Sequence, residues 1–281
     1  MGAQSVADLL TEAEEKRGNR DAARSLRAAL QPPKVAVPAP SSVLELGLTP
    51  RSGQTRLSEV RLPQALRREF NSLVDEFRHR EGLASQGFGV RKRLILTGPP
   101  GCGKTLSALA IANEIGLPLY TVRFDSIIGS YLGQTANNLR QLFKFSETTP
   151  AVLLFDEIDA LGKHRGNPTE VGELDRIVIA LMQELELAEP LGLIVATSNL
   201  PEHLDRALWR RFDIRLRFPS PKKPDLRAFA SSCAVRFDTK LPLQVLRQAE
   251  ASKSYAEAEK SVLNHYREAA LSKLKEPNGT D

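Results

Sequence analysis

The segment GPPGCGKT, residues 98–105, has the residue types that bind the phosphates of a nucleotide. It follows the apolar run RLILT and opens the helical stretch LSALAIANEI, which is the context that a phosphate loop needs. Glycines let the backbone turn so that its N–H groups point inward, and the helix N-terminus adds positive potential. Lys104 supplies a point charge for the outer phosphates, and the hydroxyl of Thr105 is a ligand for Mg²⁺. The predicted nucleotide-binding residues are Gly98, Pro99, Pro100, Gly101, Cys102, Gly103, Lys104, Thr105 and Leu106.

Two acidic residues follow a second apolar run, in AVLLFDEID. Asp156, at the end of that strand, is placed to meet the Mg²⁺ held by Thr105, and Glu157 can orient and deprotonate an attacking water. The glutamate favours a hydrolase over a kinase or a simple nucleotide binder. After the next strand, Asn199 lies where its amide can hold the same water from the other side. The alternative for Asn199 is an ordinary turn residue before a Leu-Pro pair.

Five apolar runs supply the framework that positions these side chains. Helical stretches separate the runs, which are RLILT, LYTVRF, VLLFD, LIVAT and IRLRF. Buried runs of this length between helices predict a parallel five-stranded sheet that is covered on both faces. The expected fold class is therefore α/β.

The chain also divides into segments by composition. Residues 1–31 carry apolar positions at helical spacing and predict a small helical hairpin. Residues 32–56 are rich in proline and predict a linker. Residues 57–220 hold the α/β domain, residues 221–276 predict a smaller helical domain, and residues 277–281 predict a frayed tail.

Composition restricts the class of protein. A chain of 281 residues with 41% hydrophobic residues can form an ordinary globular core. No apolar run approaches the roughly 18 residues of a spanning helix, and the N-terminus lacks the features of a signal peptide, so we expect a cytoplasmic protein with no membrane partner. The two cysteines suggest neither a disulfide nor a zinc site, and Cys102 is expected to be a small tolerated side chain rather than a redox switch.

The order of the motifs resembles the AAA+ ATPases and, within them, the protein-remodelling clade, in a single-ring bacterial-type form. The resemblance covers residues 57–275 and rests on LTGPPGCGKT, LLFDEID, IVATSNLPEHLDRAL and RRFD. It implies an αβα P-loop sandwich with a C-terminal helical lid, ATP and Mg²⁺ as cofactors, and a homo-oligomeric ring, usually a hexamer, with ATP at each subunit boundary. The segment SKSYAEAEK resembles the lid helix that closes over the base and ribose, with Tyr255 in place of the usual glycine.

The resemblance also implies an arginine finger, a side chain that reaches the γ-phosphate bound by a neighbouring subunit. Arg211 matches the first arginine of the family pattern. The second is missing, because Ile214 stands directly after Asp213. Arg210 and Arg215 are the candidates to replace it, and the alternative is that this arginine pair is solvated surface.

The segment SYLGQT resembles the loop that faces the central pore in remodelling ATPases. Tyr131 would present a flat apolar ring to an extended peptide beside Leu132, and Gly133 would let the loop move. The alternative is that Tyr131 packs locally against the helix ANNLRQLF. A second segment, GKHRGNPTEVG, is expected near the pore, where His164 and Arg165 either contact substrate or stay exposed to solvent.

Together these features predict a ring-forming ATPase that couples ATP hydrolysis to the remodelling or unfolding of a protein substrate by threading. The N-terminal hairpin is expected to dock a separate partner protein. The alternative is a DNA-associated ATPase of the clamp-loader or transposition-regulator type, which the net charge of +5, Lys222 and Lys223 keep open. A third hypothesis is a ring that binds ATP as a scaffold and seldom hydrolyses it. Glu157 and Asn199 argue against that.

Overall fold

The structure is a computed structural model, and it describes residues 47–124, 132–162, 168–237 and 241–275. All of these residues belong to one compact unit, which spans residues 39–281. The predicted N-terminal hairpin, residues 1–31, and the predicted tail, residues 277–281, lie outside the described residues.

A six-stranded sheet in the order β1-β3-β4-β5-β2-β6 forms the centre of this unit. The strands are β1 Leu48–Arg51, β2 Arg93–Thr97, β3 Leu119–Val122, β4 Val152–Phe155, β5 Leu193–Ser198 and β6 Ile214–Arg217. Strands β2 to β6 pair in parallel, and they coincide with the five apolar runs of the sequence. The predicted parallel five-stranded sheet is therefore confirmed.

Helices cover both faces of the sheet, as the α/β class requires. They are α1 Gln64–Arg78, α2 Arg80–Ser85, α3 Lys104–Ile115, α4 Leu132–Thr148, α5 Pro168–Leu187, α6 Arg206–Trp209, α7 Lys223–Ala234, α8 Leu243–Glu250 and α9 Tyr255–Lys275. Alternate residues of β2 point to opposite faces: Leu94 and Leu96 pack in the core under α1 and α3, and Ile95 packs in the core under α4 and α5. Because both faces are dry, the strands are apolar along their whole length instead of alternating.

Strand β1 is the feature that the sequence did not predict, because residues 48–51 fall inside the proposed linker. It pairs antiparallel with β3 at the edge of the sheet. Pro50 is tolerated there because an edge strand leaves one side of its backbone without a hydrogen-bonding partner. The chain that follows is fixed to α3, where Asn113 Nδ2 donates to the carbonyl oxygens of Gly53 and Thr55 at 2.9 and 2.8 Å. Part of the proposed linker therefore belongs to the α/β domain.

The C-terminal helices α7, α8 and α9 lie within residues 221–276, the predicted lid, and have a small core of their own. Its buried members are Leu226, Ala230, Cys233, Ala249, Ala258 and Val262. Helix α9 starts with a capping arrangement, in which Ser254 Oγ accepts from the N–H of Glu257 at 3.2 Å and Glu257 Oε2 accepts from the N–H of Lys253 at 2.8 Å. The start of α9 is thus fixed in place, which matters because it lies against the phosphate loop.

The predicted pore segment is described only in part. Helix α4 begins at Leu132, so Leu132 and Gly133 lie in its first turn and not on a loop, contrary to the expectation from the flanking glycines. Tyr131 lies outside the described residues, as do His164 and Arg165 of the second predicted pore segment.

Candidate active site

The phosphate loop connects the end of β2 to the start of α3. Gly98, Gly101 and Gly103 have φ values of 137°, 71° and 94°, which favour glycine. At Gly98 a Cβ atom would lie 2.2 Å from the carbonyl oxygen of Phe218, so no side chain fits there. These torsions turn the backbone around the N-terminus of α3, which is an anion-binding arrangement.

Lys104 is held inside the loop. Its Nζ donates to the carbonyl oxygens of Gly98 and Pro99 at 2.7 and 2.8 Å and to Oδ1 of Asn199 at 2.8 Å. The side chain is 6% exposed, and burial lowers the pKa of the ammonium, while Cys102 and the nearby carboxylates, Asp156 among them, act in the opposite direction. The predicted phosphate-binding lysine and the predicted water-holding asparagine are therefore in direct contact.

Thr105 and Asp156, the two predicted Mg²⁺ ligands, are brought together by the pairing of β4 in the sheet. Thr105 Oγ1 donates to the carboxylate, at 3.0 Å from Oδ1 and 3.3 Å from Oδ2. Within the described residues no group of three or more His, Cys, Asp or Glu side chains forms a metal site of its own. One carboxylate and one hydroxyl beside a phosphate cradle is nevertheless the donor set that Mg²⁺ uses when a nucleotide supplies further oxygens, so the residues fit this ion.

Glu157 is held at both its backbone and its side chain. Its φ of 55° is in the left-handed region, which non-glycine residues seldom adopt. Its N–H donates to Thr197 Oγ1 at 2.9 Å, and its Oε1 accepts from Asn199 Nδ2 at 3.2 Å. The amide of Asn199 thus bridges Lys104 and Glu157, and its backbone N–H donates to Asp159 Oδ1 at 3.0 Å. The predicted catalytic carboxylate is exposed and aligned next to the phosphate loop.

The lid contacts the phosphate loop directly. The N–H of Ala256 donates to the carbonyl oxygen of Gly101 at 3.3 Å, and a Cβ at Gly101 would lie 2.7 Å from Ser254 Oγ. Tyr255 packs edge-to-face on Phe229 of α7, with ring centroids 5.1 Å apart. The tyrosine that replaces the usual glycine therefore belongs to the packing of the lid.

Two other loop residues have simpler surroundings. Cys102 is 2% exposed, its Sγ donates to the carbonyl oxygen of Pro100 at 3.8 Å, and burial raises the pKa of the thiol, with Lys104 opposing this. A buried thiol with a raised pKa is less suited to the redox switch that was the alternative to a small tolerated side chain. Leu106, in the first turn of α3, is 44% exposed and borders the phosphate loop.

The two candidate finger residues lie at the other end of the parallel strands, where β2 and β6 begin. Arg211 precedes β6, and the N–H of Asp213 donates to the carbonyl oxygen of Arg93, the first residue of β2, at 2.9 Å. Arg211 Nη2 forms an ion pair with Glu186 Oε2 of α5 at 2.8 Å. Arg210 is exposed, and no ion pair of its side chain is found among the described residues. The structure therefore does not bring Arg210 or Arg211 to the phosphate loop of their own chain.

Several residues of the site were not predicted. Thr197 contacts both acidic residues, Asp159 fixes the backbone of Asn199, and Arg51 of β1 places Nη1 3.8 Å from Asp156 Oδ2. Asp159 is the last residue of the motif DEID, so its position next to the acidic pair is a signal that the sequence contains. Thr197 and Arg51 depend on strand register, which local patterns do not give.

The loop after β2, the acidic pair after β4 and the asparagine after β5 together define a P-loop nucleoside triphosphatase. The family described as "ATPase family associated with various cellular activities (AAA)" matches residues 94–220, which contain these groups. The chain belongs to this family, and it is an ATP hydrolase. Within the described residues, no helix is both long enough and apolar enough to span a bilayer.

Similar proteins include relatives of several kinds. The chain is 39% identical over 229 residues to an uncharacterized AAA family ATPase, y4kL, of Sinorhizobium fredii, a match that covers 78% of this chain and 69% of the relative. It is 34% identical over 183 residues to the ATP-dependent zinc metalloprotease FtsH of Acidothermus cellulolyticus, covering 62% of this chain and 28% of the relative. It is 37% identical over 139 residues to the peroxisomal ATPase pex6 of Schizosaccharomyces pombe, covering 47% and 15%. The chain thus spans only part of these relatives.

Proposed function

We propose that this ATPase assembles into a homo-oligomeric ring, a hexamer by resemblance to its family, and couples ATP hydrolysis to the remodelling of a protein substrate. The observation that carries the proposal is the separation of Lys104 and Arg211 to opposite ends of the parallel strands. Strand β2 lies between the two ends and has five residues, each of which adds about 3.3 Å to its length. The resulting distance is longer than an arginine side chain. If Arg211 acts on a γ-phosphate, it acts on one bound by another subunit.

Within one subunit, the residues divide the work of hydrolysis. The loop N–H groups and Lys104 bind the phosphates, and Thr105 and Asp156 would hold Mg²⁺, which neutralises developing charge when bound. Glu157 accepts a proton from water while the water oxygen bonds to the γ-phosphorus and the bond from that phosphorus to ADP breaks. Asn199 Nδ2 already donates to Glu157 Oε1, and this contact orients the base.

The neighbouring subunit would complete the site through its finger edge, which we define as residues 210–213. Arg211 is the first candidate, because it matches the family position, and its guanidinium has a defined place in the ion pair with Glu186. Arg210 is the second candidate, because it is exposed at the same edge. A guanidinium at the γ-phosphate stabilises the transition state and ties hydrolysis to assembly.

The proposed substrate is an extended protein chain, gripped by Tyr131 as the ring hydrolyses ATP. A relative named as an ATP-dependent zinc metalloprotease supports a role in protein handling. The grip itself rests on the resemblance of SYLGQT to a pore segment, since Tyr131 lies outside the described residues. A separate partner protein, docked by residues 1–31, and a cytoplasmic location stay predictions from the sequence.

A DNA-associated ATPase is the second candidate, and one observation favours it. Strand β6 exposes Arg215 and Arg217 along an edge of the sheet, and Lys223, further along the chain, is also exposed. Exposed basic residues suit a phosphate backbone. They also suit an edge strand that must avoid pairing with other strands, so they do not outweigh the protein hypothesis.

The test compares two probes on one trapped ring. The Glu157→Gln variant should bind ATP without hydrolysing it, so that bound substrates are retained. Fluorescently labelled casein, an unfolded protein, and a labelled single-stranded DNA oligonucleotide are each titrated against this variant with and without ATP. We expect casein binding that requires ATP, is lost with Tyr131→Ala and is kept with Tyr131→Phe. ATP-dependent binding of the oligonucleotide alone, unaffected by Tyr131→Ala, would support the DNA candidate instead.

A further inference from the structure

Thr197 is buried beneath the acidic pair, at the point where β4 and β5 end side by side. It is 1% exposed and is the fifth residue of β5. Because Phe155 of β4 is registered with Ala196 of β5, Thr197 lies next to the start of the acidic pair. We propose that Thr197 is a positioning residue that orients Asp156 and Glu157 together, an inference that rests on the proposed roles of that pair in hydrolysis.

One hydroxyl contacts two consecutive residues with two different bonds. Thr197 Oγ1 donates to Asp156 Oδ1 at 2.5 Å and accepts from the N–H of Glu157 at 2.9 Å. The direction of each bond is fixed, because an ionised carboxylate only accepts and a backbone N–H only donates. Among natural side chains of this size, a hydroxyl is the group that both donates and accepts strong hydrogen bonds at one atom. Valine, which has the same shape, would leave both groups without this partner.

The contact acts on Asp156 from the side of the sheet. The same carboxylate accepts from Thr105, which belongs to the phosphate loop and is itself a proposed Mg²⁺ ligand. Thr197 comes from a different element, and its hydroxyl is directed at the acidic pair. It can therefore fix the carboxylate orientation independently of what the phosphate loop does, as outer hydrogen-bond partners do for metal ligands in general.

The contact acts on Glu157 through the backbone. A glutamate in the left-handed region persists only where its surroundings hold it, and the bond from its N–H to Thr197 is in place at that residue. Asn199 holds the other end, at Oε1. Glu157 is thus fixed by Thr197 at the main chain and by Asn199 at the carboxylate, and loss of the hydroxyl should misalign a base that is otherwise chemically intact.

The experiment separates loss of the Thr197 hydroxyl from loss of side-chain volume. Thr197→Val removes both bonds and keeps the shape, and Thr197→Ser keeps the hydroxyl. As a matched control, Thr121→Val removes a buried hydroxyl of β3 for which no hydrogen-bond partner is found among the described residues. Steady-state ATPase rates, thermal melting and Mg²⁺-dependent binding of a fluorescent ATP analogue are measured for each.

We expect Thr197→Val to lower kcat by about 10- to 100-fold and to raise the Mg²⁺ concentration needed for half-maximal binding of the analogue by about 10-fold, while Mg²⁺-free binding stays at the parent level. Thr197→Ser should recover kcat to within about 3-fold, and Thr121→Val should leave kcat and the Mg²⁺ dependence unchanged. Should Thr197→Val not fold, Thr197→Ala against Thr197→Ser gives the same comparison of side chains with and without the hydroxyl.

Two results would overturn the inference. One is a parent kcat and Mg²⁺ dependence in Thr197→Val. The other is an equal loss of kcat in the valine and serine variants together with a lower melting temperature, which indicates packing only. The Glu157→Gln variant separates this failure from that of the proposed function. If Glu157→Gln is inactive and Thr197→Val is normal, only the role of Thr197 is wrong; if Glu157→Gln hydrolyses ATP at the parent rate, both proposals fall.

Discussion

At the carboxyl ends of the strands, hydrogen bonds join the phosphate loop, the acidic pair and Asn199 within one chain. Lys104 contacts Asn199, Asn199 contacts Glu157, and Thr105 contacts Asp156. At the amino ends, Arg211 has an acidic partner from its own chain, Glu186, and is far from any phosphate-binding group of that chain. The two ends of the strands therefore differ: one gathers the predicted nucleotide-binding residues, and the other holds a predicted finger residue that lies apart from them.

The finger edge, like the phosphate loop, is held by hydrogen bonds within the chain. Asp213 Oδ2 accepts from the backbone N–H groups of Lys92 and Arg93 at 2.9 and 3.0 Å, which fixes the turn before β6 to the start of β2. Under our proposal, these residues are fixed within their own subunit and yet act only on the ATP bound by a neighbouring one.

The largest expected effect is on ATP hydrolysis, from changes at the carboxyl ends of the strands. Glu157→Gln should keep ATP binding and lower hydrolysis by about 10²-fold or more, because the amide cannot accept the proton from water. Lys104→Ala should lose binding as well, since it removes the charge that faces the phosphates. Binding of a fluorescent ATP analogue and steady-state ATPase assays check both. If Glu157→Gln hydrolysed ATP at the parent rate, Glu157 would not be the base.

A smaller effect is expected where the lid meets the loop. Gly101→Ala would place a Cβ 2.7 Å from Ser254 Oγ, and Gly116→Ala is the matched control, because Gly116 has a similar φ of 73° and no atom within 4 Å of the added Cβ. Both should lose roughly 1–3 kcal/mol for the positive φ, measured by thermal or urea unfolding. Only Gly101→Ala should also weaken ATP binding. Equal nucleotide affinity in the two variants would mean that the lid contact is not needed for binding.

The smallest effect on ATP hydrolysis is expected from Arg51 of β1, which places a positive charge near Asp156. Its guanidinium is 3.8 Å from Asp156 Oδ2, and the two side chains are 45% and 27% exposed, so solvent weakens the pair. Arg51→Gln should change kcat by less than about 3-fold and leave the melting temperature unchanged, because exposed pairs contribute about 0–1 kcal/mol. If Arg51→Gln lowered kcat by 10-fold or more and Arg51→Lys restored it, the charge on β1 would instead be needed for catalysis.

The sequence predicted what depends on local order along the chain. The phosphate loop, the acidic pair, Asn199 and the five parallel strands each leave a pattern within about ten neighbouring residues, because glycines, charges and apolar runs act locally there. Strand β1 was missed because four residues that include Pro50 look like linker. The contacts of Thr197 and the pairing of Arg211 with Glu186 were missed because they depend on which strand lies next to which, and a single sequence does not fix that register.

Complementation between two inactive variants tests the composite site most directly. Arg211→Ala lacks the finger arginine, and Lys104→Ala lacks the phosphate-binding lysine, so each variant alone should be inactive. In a mixed ring, the interface between a Lys104→Ala subunit and an Arg211→Ala subunit can combine an intact loop with an intact finger. We predict that the mixture hydrolyses ATP clearly faster than the sum of the two separate rates. A mixed rate no higher than that sum, with subunit exchange demonstrated by labelled protein, would contradict the account.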